Sequence, residues 1–209
     1  MLRAIAGTIP STGAITIDEN NVTFVTGPDR RISMAWQDSR LLPNKTALEN
    51  VLINGADIDT IHQYAKILKI EHVLAKLPHE LSGGEQQRVN ILRAVSADVQ
   101  VVLLDEPMQG VDNAVVRKIM SMLLTKLKSC GKIAVVVTHD LAQSYGLFDN
   151  VVIVKGGDIV YCGKYDDVYH NPATPWVANF FGPYSVLHKD QAAAFGYNSS
   201  ILIRPEWIS

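Results

Sequence analysis

Apolar and polar residues alternate through GAITIDENNVTFV, residues 13–25. That period of two predicts two strands joined by a turn around Asp18-Glu19-Asn20-Asn21. Ile32–Trp36 adds a third candidate strand, ending at Gln37. The pattern then becomes helical. Thr46 stands three residues before Glu49, with Leu48, Val51 and Leu52 forming an apolar side, which reads as a capping-box helix start. Within Ile58–Leu77 the residues Ile61, Tyr64, Ile67 and Leu68 recur at helical spacing, and Pro78 ends the stretch. Ser82 and Glu85 repeat the S-x-x-E cap and open a further helix with Gly83 and Gly84 in its first turn.

Two short apolar runs follow, VQVVLLDE (99–106) and KIAVVVTHD (132–140), each with the continuous valine-rich character of a buried parallel strand. Between them Asp112 caps a predicted helix with Val115, Ile119, Met122, Leu123 and Leu127 inward, and Gly131 stops it. Asp140 caps another helix, and NVVIVKGGDIVYCG (150–163) reads as a hairpin around Gly156-Gly157. Trp176, Phe180 and Phe181 follow helical spacing and are expected in a core. Strand and helix alternating at this spacing predict an α/β fold with a parallel sheet. After Phe181 a Gly-Pro break leads through a polar stretch to the strand-like ILIRP, the expected opening of a small β-rich unit over 182–209.

Composition narrows the class. The 209 residues are 47% hydrophobic and 19% charged, a globular rather than a disordered balance. A net charge of −2 argues against a dedicated nucleic-acid binder. No apolar run approaches the roughly 20 residues that span a bilayer, and the first residues are too little for a signal peptide, so any service to a membrane is expected from the water side through a partner. Cys130 and Cys162 have no CxxC partner and read as free, packed thiols in a reduced, cytoplasmic setting.

The chemistry-bearing residues gather at predicted strand ends, where ligands of open parallel sheets bind. Asp105 and Glu106 end one strand and point to different sides, so one can reach a hydrated Mg²⁺ and the other can orient or deprotonate a water. Such a pair also caps turns. His139, after the next strand, can donate to a phosphate oxygen, or it is an ordinary surface histidine. LSGGEQQRV (81–89) is sharper: glycines in the first turn of a well-capped helix bare the backbone N–H groups at its positive end, which makes an anion site.

LSGGEQQRV, VVLLDEP, VD and THD in this order, with Gln37 in WQDSRLLP upstream, resemble the ATP-binding subunits of ABC transporters from Met1 to about Phe181. The resemblance implies a P-loop NTPase-like ABC ATPase core over 1–181, with a helical subdomain at about 38–97 and the start of an OB-like (TOBE-type) appendage at 182–209. It implies ATP and Mg²⁺ as ligands, transmembrane permease subunits and a second ATP-binding subunit as partners, and a place on the cytoplasmic face of the inner membrane. Ser82, Gly83, Gly84 and Glu85 match the signature loop that clamps ATP held by the partner subunit. Asp105 matches the Mg²⁺-binding aspartate and Glu106 the catalytic glutamate. Gln37 matches the Q-loop glutamine, which links the nucleotide to the transmembrane partner and is expected among the catalytic and metal-binding residues, Asp112 the D-loop aspartate at the dimer interface, and His139 the switch histidine. In such subunits the LRAIAG helix follows a G-x-x-x-x-G-K-[ST] phosphate loop. No such motif occurs here, so the expectation is a chain truncated before that loop, with an incomplete sheet and little activity by itself. The wording of the C-terminal link and of DSRLLPNKTALEN is similar to importers, with the solute left open; a soluble ABC ATPase of translation or DNA repair and a non-catalytic pairing fragment are the alternatives.

Overall fold

A computed structural model describes residues 1–107, 113–139, 144 and 146–204. The chain divides into two compact units, Met1–Thr138 and His139–Ser209.

The first unit is built on a parallel three-stranded sheet in the order β3 (Ile32–Ala35), β4 (Val101–Asp105), β5 (Ile133–Val137). Leu103 and Val101 pack under α1 (Leu2–Ile5) with Leu2 and Ala6, joined by Ile32, Met34, Val135 and Val137. Alternation turns Val102 and Leu104 to the opposite face, where α4 (Gly83–Ser96) packs on β3 and β4. Val101–Leu104 are buried on both faces, which is why β4 reads as an unbroken apolar run. Ahead of the sheet, β1 (Thr16–Ile17) and β2 (Asn20–Asn21) pair antiparallel across Asp18-Glu19, both at positive φ, so the turn is the tight two-residue kind and Asn20-Asn21 belong to the second strand.

Helices α2 (Ala47–Leu52) and α3 (Ile58–Leu68) pack against α4, and α5 (Asn113–Ser129) packs against β5 and α3. Thr46 and Glu49 form the expected capping box. α3 is shorter than the expected Ile58–Leu77. Lys69 turns left-handed at φ 56° and the Ile70 N–H closes on the Ala65 carbonyl at 3.0 Å. The apolar periodicity runs on because Ile70, Val73 and Leu74 enter the same core from turns. In α5 the packed residues are Ile119, Met120, Leu123 and Leu127, whereas Val115 and Met122 are 37% and 49% exposed: one precedes the packed turns and the other lies beside the stripe. β5 is an edge strand of this sheet among the described residues; Ile133 is exposed and the side chains of residues 134–137 are only half-buried. The Asp112 and Asp140 caps lie outside the described residues.

In the second unit, β6 (Asn150–Lys155) and β7 (Asp158–Lys164) form the expected hairpin, with Gly156 and Gly157 at positive φ. Its core joins Ile153 to Tyr165, Val168 and Tyr169 of α6 (Tyr165–His170) and to Val177 of α7 (Pro175–Asn179) and Phe181. Trp176 is on the surface instead, under the Lys155 ammonium at 4.4 Å. β8 (Ser185–Leu187) and β9 (Ile201–Ile203) pair antiparallel, with α8 (Lys189–Ala193) between them. Both cysteines are free, as expected, but exposed rather than packed.

Candidate functional site

β3 and β4 run parallel with Ala35 opposite Leu104, so their carboxyl ends lie side by side. Gln37 follows β3 by two residues, and Asp105 and Glu106 close β4. The fold therefore brings these three expected residues to one edge of the sheet. Gln37 is exposed; Asp105 and Glu106 are half-buried. Glu106 adopts φ 46°, a left-handed backbone that an ordinary side chain disfavours. Its N–H is held by the Val137 carbonyl at 3.0 Å, which pins the residue to the tip of β5. Strain of this kind gathers where a side chain must be aimed.

The start of α4 is a closed capping box. The Glu85 carboxylate accepts from the Ser82 hydroxyl at 2.7 Å and from its N–H at 2.8 Å, while the Glu85 N–H reaches the Ser82 hydroxyl at 3.3 Å. The Ser82 hydroxyl and then its amide hold the Glu85 carboxyl below the usual carboxylate range, helped by His72, 3.4 Å away, and by Lys76. Gly83 and Gly84 are exposed, and a Cβ built on either meets nothing within 4 Å. No contact among the described residues explains two residues that weaken a helix by up to about 1 kcal/mol each. They leave the first-turn N–H groups bare, the kind of helix start that can bind an anion.

The second and third turns of α4 hold the strand-tip segment. Asn90 and Gln87 both donate to the Trp36 carbonyl, at 2.7 and 3.3 Å, and Arg93 donates to the Ser39 and Arg40 carbonyls, each at 3.1 Å. The ring of Trp36 lies under the Arg40 guanidinium at 4.5 Å and that of Arg3 at 5.8 Å, which makes it a packing residue. The sequence reading missed these contacts. Their one outward sign is polar residues recurring every three or four positions in EQQRVNILR.

His139 is exposed and opens the second unit. Asp112 lies outside the described residues. Among the described residues no cluster of three His, Cys, Asp or Glu could hold a metal ion. A single half-buried carboxylate at Asp105 still suits Mg²⁺, which binds one or two carboxylates and takes its other ligands from phosphates and water.

The profile of the ABC transporter family matches residues 1–109. The chain belongs to the ABC transporter family. Relatives include the glucose import ATP-binding protein GlcV of Saccharolobus solfataricus, 37% identical over 89% of this chain and 57% of that protein. The Fe(3+) ions import ATP-binding protein FbpC 1 of Rhizobium meliloti is 32% identical over 97% of this chain and 60% of its own length. The chain thus spans somewhat more than half the length of these relatives. Among solved structures, the dimeric ATP-binding cassette MJ0796 bound to ADP and Pi superposes with a TM-score of 0.68 at 31% identity, over 78% of each chain. The fold is that of an ABC ATPase cassette, a P-loop NTPase-like α/β core.

Proposed function

We propose that the protein is an ATP-hydrolysing subunit that powers solute import through transmembrane permease subunits, paired with a second ATP-binding subunit at the cytoplasmic face of the inner membrane. The observation that carries this reading is the open, glycine-bared start of α4, in the same unit as a sheet edge bearing Gln37, Asp105 and Glu106. The relatives named for import of glucose and of Fe(3+) ions support the transport role, and no helix among the described residues is long and apolar enough to cross a membrane. In this reading residues 1–181 form the ATPase domain, with a helical subdomain at about 38–97, and residues 182–209 begin a small OB-like appendage.

The roles follow from chemistry. Glu106 accepts the proton of the water that attacks the γ-phosphorus, and Gln37 orients that water. Ser82 and the N–H groups of Gly83 and Gly84 donate to the γ-phosphate of ATP bound on the partner subunit. Glu85 holds that loop in shape through the capping box. His139 donates to a phosphate oxygen, and Asp112 meets the partner. Asp105 would hold Mg²⁺, which when bound neutralises charge on the β- and γ-phosphate oxygens. The 209 residues contain no G-x-x-x-x-G-K-[ST] loop, so by themselves they are expected to turn over little ATP.

The test is ATP hydrolysis by the protein assembled with its permease subunits. Glu106→Gln is expected to lower kcat by at least about 100-fold with ATP binding retained. Equal rates for the two proteins would sink the assignment.

A further inference from the structure

Three side chains of α4 grip the backbone that carries Gln37, and a fourth holds a side chain of the same segment. Besides the bonds of Asn90, Gln87 and Arg93 described above, the Ser39 hydroxyl donates to Gln86 Oε1 at 3.3 Å. Positions 86, 87, 90 and 93 lie on one side of the helix, so this is a continuous polar seam. Asn90 is at its centre. It is fully buried, its Nδ2 makes the shortest bond of the seam, to Trp36, and its Oδ1 accepts from Arg93 Nη2 at 3.1 Å.

A buried asparagine weakens a mid-helix position twice, by propensity and by desolvation of its amide. The helix itself has no use for it. The Trp36 carbonyl does: β3 ends at Ala35, so this oxygen lies just past the ladder to β4, and the Asn90 amide satisfies it. Arg40, at φ 45°, belongs to the same segment and gives its carbonyl to Arg93.

We propose that Asn90 is a positioning residue. It ties the Trp36–Arg40 segment, and with it Gln37, to the helix that presents Ser82, Gly83 and Gly84, so that the water-orienting glutamine and the phosphate clamp move as one body. This deepens the function proposed above and rests on it for the role of Gln37.

Trp36 supplies a reporter independent of ATP. In the chain carrying Trp176→Phe and Trp207→Phe, both Asn90→Ala and Asn90→Asp are expected to move Trp36 emission to longer wavelength and to expose it to acrylamide, with unchanged far-UV circular dichroism. Asn90→Asp keeps the shape and the acceptor for Arg93, but its ionised carboxylate cannot donate to Trp36. In the assembled complex, loss of this one bond is expected to lower kcat about tenfold with KM for ATP unchanged. Added to Gln37→Ala, the same change is expected to cost less than about twofold, because Asn90 acts through Gln37.

Unmoved emission in the folded variants overturns the proposal. So does an equal loss of kcat with and without Gln37, which marks a merely structural role, and so does failure of both variants to fold. If the wild-type complex shows no ATP turnover at all, the assignment of function falls, and the emission still decides whether Asn90 holds the segment.

Discussion

At the scale of single residues, Glu106 combines two roles that oppose each other. Its left-handed backbone lowers stability, and its carboxylate is the proposed base. Glycine adopts this conformation without a steric penalty, so Glu106→Gly is expected to stabilise the chain by about 1 kcal/mol. It would also end hydrolysis. Urea unfolding of the 209-residue chain checks the first effect, and a midpoint equal to or below that of the unsubstituted chain would show that the strain is not there. The sequence marked Asp105 and Glu106 through their place after an apolar run. It could not mark the strain, because the left-handed Glu106 is held in the sheet by a bond from its N–H to Val137, 31 residues further along the chain.

At the scale of elements, the capped starts at Thr46 and Ser82 and the stop of α5 before Gly131, at φ 69°, were legible, and the end of α3 was not. A cap is a local contact between residues three apart, so Thr46 with Glu49 and Ser82 with Glu85 could be read directly and are closed in the structure. The end of α3 depends instead on Ile70 finding a place in a core assembled from distant segments. The caps also set an acid response. Bonds from Thr46 lower the Glu49 carboxyl, bonds from Thr60 lower Asp57, and bonds from Ser82 lower Glu85. A carboxyl depressed in the folded state contributes its full stability above its unfolded pKa and loses it as pH falls through the depressed value. Thermal stability is therefore expected to decline as pH drops below the ordinary carboxylate range. Replacing Glu49, Asp57 and Glu85 by their amides should flatten that decline, as melting curves between neutral and strongly acid pH will show.

At the scale of the whole molecule, each unit has its own means of cohesion. The first is a sheet covered by helices. The second is small and closes around aromatic side chains and one fully buried cation. Arg204 donates to the Ala178 carbonyl at 3.0 Å and lies 4.8 Å over Tyr169 and 5.8 Å over Phe181. Just past β9, it ties the β8–β9 pair to the α6–α7 core. Arg204→Ala removes both the bonds and the packed stem, so a loss of about 3 kcal/mol is expected in the second unit. Amide hydrogen exchange would show this as faster exchange across residues 150–204, with protection over β3, β4 and α4 unchanged. Uniform loosening of both units would contradict the division.

The sequence alone determined the parallel α/β core, the caps at Thr46 and Ser82 and the place of Asp105 and Glu106 at the end of a strand, because each depends on a short-range pattern: a run of apolar residues, a spacing of three, a strand that stops. Only the tertiary structure decided that Val115 and Met122 of α5 stay exposed, where α3 stops, how Glu106 is twisted and what Asn90 holds. Those outcomes rest on contacts between residues tens of positions apart, and such contacts form only when the whole core is in place.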